Sequence, residues 1–311
     1  MMGTRTRLGI GATAAAAALV AVAGCSGGGG GQAAPPFGVR PTVSPSDGST
    51  FVASPAAVAA VTGVMRKAQA AGTVRIKGYV TSAATGKLAL SGEERYGATT
   101  EMSMTMQVQG GTMSEVLIGS KVYLDYPALS AQMGGKPWGE IDLSKDSSAL
   151  GSLSALAGTV QQYDPLGQIA ALIASGDMAD IGLVPVYGQN TQHYHGQLIL
   201  DQLLWNDAPA RSLLGSARVD ALESAMRASG ISRENVDLFY GADGLPVEIT
   251  YSTQSAQGDN DSDMVFTDWG KPVQIGAPPA GQVFDLTAQI AAAESSATPG
   301  PGLGATPSPQ R

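Results

Sequence analysis

The sequence predicts an α+β domain: one long, mostly antiparallel β-sheet with a few helices on one face. Two observations predict it. From about residue 73 onward, apolar and polar residues alternate with a period of two in short runs separated by Gly- and Asp-containing turns. Helical periodicity appears only in a few segments, without the regular strand–helix–strand alternation that builds parallel sheets. Stretches rich in Gly, Pro and Ser flank these patterns and delimit the domain to residues 54–290.

The first element is a helix over residues 54–71. Ser54 suits the N-cap because its hydroxyl accepts a hydrogen bond from a free backbone N–H, and Pro55 suits the first helical position. Gly72 follows as a stop. Between these ends, apolar residues recur at helical spacing at Val58, Val61, Met65 and Ala68.

Antiparallel strands follow the helix as far as about residue 143. Gly110 and Gly111 are a strong signal for a two-residue hairpin between two of them. Alternate residues of a strand point to the same side, so we expect the apolar positions of these strands to form one face that points at the helices. Those positions are Val74, Ile76, Leu88, Leu90, Met102, Met104, Met106, Val116 and Ile118.

A second clear helix begins after Asp164, which suits its N-cap, with Pro165 in the first position and Gly176 as its stop. Its apolar stripe is expected to face the strands and includes Leu166, Ile169 and Ile173. Weaker helices are predicted over residues 146–158 and 216–229. Further strands are predicted over 178–186, 192–200, 236–241, 245–254 and 264–269.

Residues 1–24 have the pattern of an export signal. Arg5 and Arg7 precede an apolar run of about 16 residues, which is shorter than the roughly 20 residues of a membrane-spanning helix. The run ends at Val22-Ala23-Gly24-Cys25, which resembles the bacterial lipobox. This resemblance implies that the thiol of Cys25 receives a diacylglyceryl group, that cleavage makes Cys25 the N-terminus, and that acyl chains anchor the protein in the membrane.

Residues 25–53 are predicted to be a lipidated Cys followed by a flexible tether. The segment contains Gly27–Gly31 and four prolines, a composition that cannot bury a core. A flexible coil of this length has an r.m.s. span of roughly 30 Å, so the domain would stand off the membrane. A second Pro/Gly-rich segment, residues 291–311, is predicted to be a disordered tail.

Composition and motifs exclude several functions. The net charge is −8, with 18 basic and 26 acidic residues and no basic cluster, so we expect no nucleic-acid partner. The segment Gly151-Ser152-Leu153-Ser154-Ala155 approaches a nucleophile-elbow motif, but it lacks the final Gly and the parallel sheet that the elbow requires. We predict no catalytic residue and no cofactor.

The sequence also predicts no metal site. His193 and His195 share a strand face, but Asp201 is the only acid near them in sequence and the single Cys lies at residue 25, so an ordinary exposed strand face is expected. Asp259, Asp261 and Asp263 resemble the start of an EF-hand loop. The Gly and Glu that the loop requires are missing, which indicates a solvated turn instead.

The methionines leave two alternatives open. Met102, Met104 and Met106 share a strand face, and Met113 follows the Gly110-Gly111 turn. Flexible, polarisable Met side chains suit a surface that adapts to apolar ligands, but they also pack well in a closed core. Periodicity is the same for a lined cavity and for a filled core.

The order of several motifs resembles the actinobacterial LppX/LprAFG lipoprotein family. After the lipobox and tether come Asp164-Pro165-Leu166, a strand with Thr191, His193 and Tyr194, then Gly241–Pro246 and Met264–Val273. The resemblance covers most of residues 54–286 and implies a fold similar to the LolA/LolB lipoprotein carriers. That fold is a half-barrel, a curved sheet whose concave face is covered by helices and encloses a cavity for acylated lipids or glycolipids. No ligand-binding motif of the family transfers residue by residue.

Two hypotheses follow from the sequence. In the first, the protein is a membrane-anchored carrier of acylated lipids or glycolipids on the outer face of the cytoplasmic membrane, and an envelope transporter is the partner such a carrier would have. In the second, it is a structural or sensory envelope module with a filled core. Neither hypothesis involves catalysis.

Overall fold

The computed structural model describes residues 54–82, 86–108, 111–127, 130–131, 133–145, 164–175, 177–199, 227, 230–255 and 258–289. The predicted signal peptide, Cys25, the tether and the C-terminal tail lie outside these residues. So do the predicted helix over 146–158, nearly all of the one over 216–229, the Gly151–Ala155 motif and Asp201.

In the described part of the chain, twelve strands form one open sheet. Its order is β12-β6-β5-β4-β3-β2-β1-β11-β10-β9-β8-β7, and all neighbours are antiparallel except β12 and β6. The predicted fold class is therefore confirmed. The strands are β1 Thr73–Ser82, β2 Gly86–Arg95, β3 Glu101–Val108, β4 Gly111–Ile118, β5 Lys121–Asp125, β6 Trp138–Asp142, β7 Met178–Val186, β8 Gln189–Ile199, β9 Ile231–Tyr240, β10 Pro246–Ser255, β11 Asn260–Thr267 and β12 Val283–Asp285. Because β11 begins at Asn260, Asp261 and Asp263 lie in a strand rather than in the predicted turn.

Two helices, α1 (Pro55–Ala71) and α2 (Pro165–Ser175), have the ends that the sequence predicts. The backbone N–H of Ala57 donates to Oγ of Ser54 at 3.1 Å. Gly72 ends α1 with a φ of 79°, a left-handed conformation that favours glycine. At α2, the N–H of Leu166 donates to Oδ1 of Asp164 at 2.9 Å.

Both helices lie on the same face of the sheet. Helix α1 packs against α2, β1 and β7, and α2 packs against β7, β8 and β9. Residues paired across antiparallel strands point to the same side, so the pairing register identifies every residue on this side. We call it the helix-covered face. It includes Val74, Ile76, Leu90, Met102, Met104, Val236, Leu238, Ile249, Met264 and Phe266.

The chain after β11 crosses the strand ends and extends the sheet. Arg75 forms ion pairs with Glu93 and Asp268, each at 2.9 Å, and a guanidinium N–H of Arg95 donates to the carbonyl of Val273 at 3.2 Å. Further on, β12 pairs with β6 in parallel, and the backbone N–H of Asp142 donates to Oγ1 of Thr287 at 2.8 Å. The sequence did not predict β12, whose three residues are too few to show a periodicity.

Candidate functional site

The helix-covered face is the candidate site because the sequence places the apolar positions of the early strands there. Val74, Ile76, Leu90, Met102 and Met104 are all buried. They belong to one contiguous apolar cluster together with Leu166, Ile169 and Ile173 of α2. Met106 is partly buried and packs against this cluster. Leu88 pairs with Val80 on the same face and is also partly exposed.

Val116 and Ile118 do not lie on this face, so the prediction for these two residues is wrong. Val116 pairs with Ser103, and Ile118 pairs with Glu101. The residues of β4 that share a face with Met102, Met104 and Met106 are Leu117, Glu115 and Met113. Strand β4 carries apolar residues on both faces, so its pattern alone does not tell which set points inward. The register with β3 decides it.

The apolar residues of the helix-covered face form two clusters. The larger cluster lies beneath α1 and α2 and reaches Leu90, Met102 and Met104 on β2 and β3. The smaller cluster consists of Val122, Leu124 and Ile141 on β5 and β6, with Leu286 packed against it. Partly buried Leu117 contacts both clusters. We call the interval between the two clusters the core break.

Glu115 lies at the core break. It pairs with Met104 of the larger cluster on one side and with Leu124 of the smaller cluster on the other. The residue is 6% exposed, and its buried Oε1 has no hydrogen-bond partner within the described part of the chain. Burial raises the pKa of Glu115 to about 8, so its carboxyl is mostly protonated at neutral pH.

The sequence reasoning missed Glu115 because a charged residue in a strand is ordinarily expected to face solvent. One signal could have found it. Glu115 has the same parity as Met113 and Leu117 after the Gly111 turn. Alternate residues of a strand share a face, so if Met113 and Leu117 point inward, Glu115 between them must also be buried among apolar residues.

Other buried carboxyls lie on the helix-covered face. Glu94 pairs with Val74 and Met102 and receives a hydrogen bond from the hydroxyl of Tyr96 at 3.0 Å. Glu234 lies on β9, near the β7 end of the strand order, where it pairs with Leu198 of β8. Burial raises its pKa to about 7. The face is therefore apolar but not free of groups that can exchange hydrogen bonds.

His193 and His195 lie on the opposite face, and they are buried, so the prediction of an exposed strand face is wrong. Both imidazoles share one oxygen: Oδ1 of Asp237 lies 2.7 Å from Nε2 of His193 and 2.8 Å from Nδ1 of His195. Burial acts to raise the pKa of Asp237, but the two histidine hydrogen bonds outweigh it and hold the pKa below its usual value. His193 also stacks on Phe239, with ring centroids 4.3 Å apart. Asp237 is distant from the histidines in sequence and close only through the pairing of β8 and β9.

The opposite face also bears a shallow groove over β1–β3. The lining includes Lys77, Tyr79, Ala89, Ser91, Thr105 and Gln107.

The described residues contain neither a cluster of potential metal ligands nor a helix suited to cross a membrane. Among these residues, no group of three or more His, Cys, Asp or Glu side chains is arranged to hold a metal ion. None of the helices in the same part of the chain combines the length and apolarity needed to cross a bilayer.

Comparison with known proteins gives one curated relative and several solved structures. No family model matches the chain. The relative is an uncharacterized 31.2 kDa protein in the rplA–rplJ intergenic region of Streptomyces griseus; it is 26% identical over 259 residues, which are 78% of this chain and 83% of the relative.

The solved structures include two mycobacterial lipoproteins of the family that the motif order resembles. LprF from Mycobacterium bovis aligns at 12% identity over 75% of this chain and all of that chain, with a TM-score of 0.41. LppX from Mycobacterium tuberculosis aligns at 10% identity over 72% of this chain and all of that chain, with a TM-score of 0.43. A LolA superfamily protein from Nitrosomonas europaea aligns at 8% identity over 71% of this chain and 96% of its own, with a TM-score of 0.22.

Proposed function

We propose that this protein is a membrane-anchored lipoprotein of the cell envelope that binds and carries acylated lipids or glycolipids along the helix-covered face of its sheet. The observation that carries the proposal is the core break. Among the described residues, the buried apolar side chains of this face form two clusters that meet at partly buried Leu117. Between them lies Glu115, whose buried Oε1 has no hydrogen-bond partner in the same part of the chain. An acyl chain inserted there would contribute about 25 cal/mol for each Å² of apolar surface it buries.

The anchor in this proposal is Cys25. The sequence Val22-Ala23-Gly24-Cys25 supports lipidation, because the single Cys of the chain stands at the one position that a lipobox requires. The protein would then lie on the extracytoplasmic face of the membrane, and a tether of roughly 30 Å would let the domain reach lipids around it. An envelope transporter is the partner expected for such a carrier.

Mass spectrometry of bound lipid tests the proposal. The mature chain with Cys25→Ser can be purified without detergent and extracted with organic solvent. We expect a stoichiometric acylated lipid in the extract and none from an unrelated domain carried through the same purification. A folded protein with no lipid in its extract would contradict the carrier function.

Anchoring has a separate test. With Cys25→Ala in the full-length chain, we expect release from the membrane fraction into the medium, because no acyl chain can be attached. The measurement is fractionation followed by a salt and carbonate wash. If the variant remains in the washed membranes, the lipobox interpretation is wrong.

A second candidate function is favoured by a different observation. Most of the predicted cavity residues, including Ile76, Met102 and Met104, are buried in the same apolar cluster as residues of both helices. A structural or sensory module with a filled core would have this packing throughout. The two candidates differ at the core break, where the carrier needs room for a ligand.

A further inference from the structure

We propose that Glu115 is the residue that recognises the polar end of the ligand, and that the ligand is an acyl lipid with free hydroxyl groups next to its acyl chain. This inference rests on the proposed function and names the class of lipid. On the helix-covered face, the register places the polar side chain of Glu115 between Met104 of the larger cluster and Leu124 of the smaller one.

The unpaired oxygen of Glu115 points to a missing partner. Leaving a buried polar atom without a hydrogen bond costs about 1–3 kcal/mol, so native proteins rarely keep one without a reason. The residue is 6% exposed, and its Oε1 has no hydrogen-bond partner among the residues that the structure describes. A ligand hydroxyl at the core break would satisfy this oxygen.

The chemistry of the site selects among lipid head groups. The neighbours of Glu115 across the sheet are Met104 and Leu124, which bring no positive charge. A phosphate or carboxylate head group would find no cation to pair with on these two neighbours, and charge burial without a partner is costly. A neutral carboxylic acid can donate one hydrogen bond and accept others, which matches the hydroxyl groups of a glycerol or sugar.

The position of Glu115 agrees with a ligand that has one polar and one apolar part. The next pair along β3 and β4 is Met106 and Met113, both only partly buried. An acyl chain lying over these flexible side chains would place its head group within reach of Glu115. The larger cluster beneath the helices would remain closed.

The test compares two lipids that share an acyl chain. Monolauroylglycerol has free hydroxyl groups, and methyl laurate has none. Equilibrium dialysis of the mature chain with Cys25→Ser is expected to show a roughly tenfold preference for monolauroylglycerol, the ratio that about 1.4 kcal/mol of hydrogen bonding would produce. Glu115→Met, with a side chain of similar length but no hydrogen-bonding group, should bind both lipids alike and still bind methyl laurate.

Three further variants make the result specific. Glu115→Gln keeps donor and acceptor groups and should retain most of the preference. Ser262 lies on the same face several strands away, and its buried Oγ also has no hydrogen-bond partner among the described residues. Ser262→Ala should retain the whole preference for monolauroylglycerol. Glu115→Leu replaces the Met variant if that one does not fold.

The outcomes separate this inference from the function on which it rests. Equal binding of both lipids by the wild-type protein, or a preference that survives in a folded Glu115→Met or Glu115→Leu variant, would overturn the role of Glu115 and leave lipid binding intact. Binding of neither lipid by the wild-type protein would overturn the carrier function, and the inference would fall with it.

Discussion

The two halves of the helix-covered face are built differently. Beneath α1 and α2, the core is continuous from β8 across β1 to β3, and side chains such as Leu172, Val236 and Leu238 are completely buried. On β4 to β6 the core is a small group completed by Leu286 from the C-terminal segment. The first half has the packing of an ordinary domain core. Both halves contain buried carboxyls, Glu94 and Glu234 in the first half and Glu115 at the margin of the second. The second half differs because partly exposed Met113 lies next to its carboxyl on β4.

If the protein is a lipid carrier, this difference favours a ligand site away from the helices. The resemblance to lipid-carrier lipoproteins leads one to expect a cavity between helices and sheet. In the described residues, however, the helices and the strands below them are in direct contact. At the core break over β3 to β5, a ligand would meet the apolar side chains of both clusters and the carboxyl of Glu115.

The largest expected effect is a loss of stability from substitutions in the half of the face that lies beneath α1 and α2. Leu172 is fully buried, and its Cδ1 lies so close over Gly196 that a Cβ there would be 2.4 Å from it. Leu172→Ala should lower the free energy of unfolding by an amount near the top of about 2–5 kcal/mol, because this packed region cannot collapse around the cavity. Leu124→Ala in the small cluster should cost less, near the bottom of that range. Denaturant unfolding measures both, and equal costs would argue against two differently packed halves.

The next effect is the pH dependence contributed by Glu115. Its pKa rises from 4.5 in the unfolded chain to about 8 in the folded protein, so the folded state holds its proton more tightly. Stability is therefore full below pH 4.5, decreases as the pH rises towards 8 and is constant above that. The steepest slope is about 1.4 kcal/mol for each pH unit.

Glu115→Gln should remove this decrease in lipid-free protein. The variant should gain on the wild type by up to a few kcal/mol between pH 4.5 and 8. Glu234→Gln is the matched control beneath the helices. Because the pKa of Glu234 is about 7, the stability that it contributes should decrease over a narrower pH range that ends near pH 7. Thermal unfolding across this pH range is the measurement. Identical pH profiles for wild type and Glu115→Gln would show that the carboxyl is not desolvated.

The smallest effect on stability is expected from added bulk at the boundary between the halves. The side chain of Met104 lies over Gly92, where a Cβ would be 2.2 Å from its sulfur, so no room is left. Met104→Trp should overpack and cost roughly 1–3 kcal/mol. Met106 pairs with partly exposed Met113 and is itself only partly buried. Met106→Trp should therefore leave the melting temperature close to that of the wild type and reduce lipid co-purification. A filled core throughout would instead give both variants the same loss of stability and leave the extract unchanged.

Several features of the fold could be predicted because they depend on residues close together in sequence. Ser54 and Asp164 cap their helices as expected, since a cap needs only the next two or three residues. The alternation in β3 placed Met102 and Met104 correctly on one face. The prediction for β4 is wrong because this strand has apolar residues on both faces, Val116 and Ile118 on one and Met113 and Leu117 on the other.

By itself, the sequence determined the class of the fold, the helix ends and most of the strand alternation, all of which are local patterns; the lipobox ending in Cys25 is a further local pattern and stays a prediction. Only the tertiary structure decided which face the helices cover, that Glu115 is buried between two clusters, and that Asp237 meets His193 and His195. The physical reason is register. A side chain's environment in a sheet is set by its partners on neighbouring strands, and a shift of one residue moves it to the other face. Those partners come from distant parts of the chain, so no local pattern contains them.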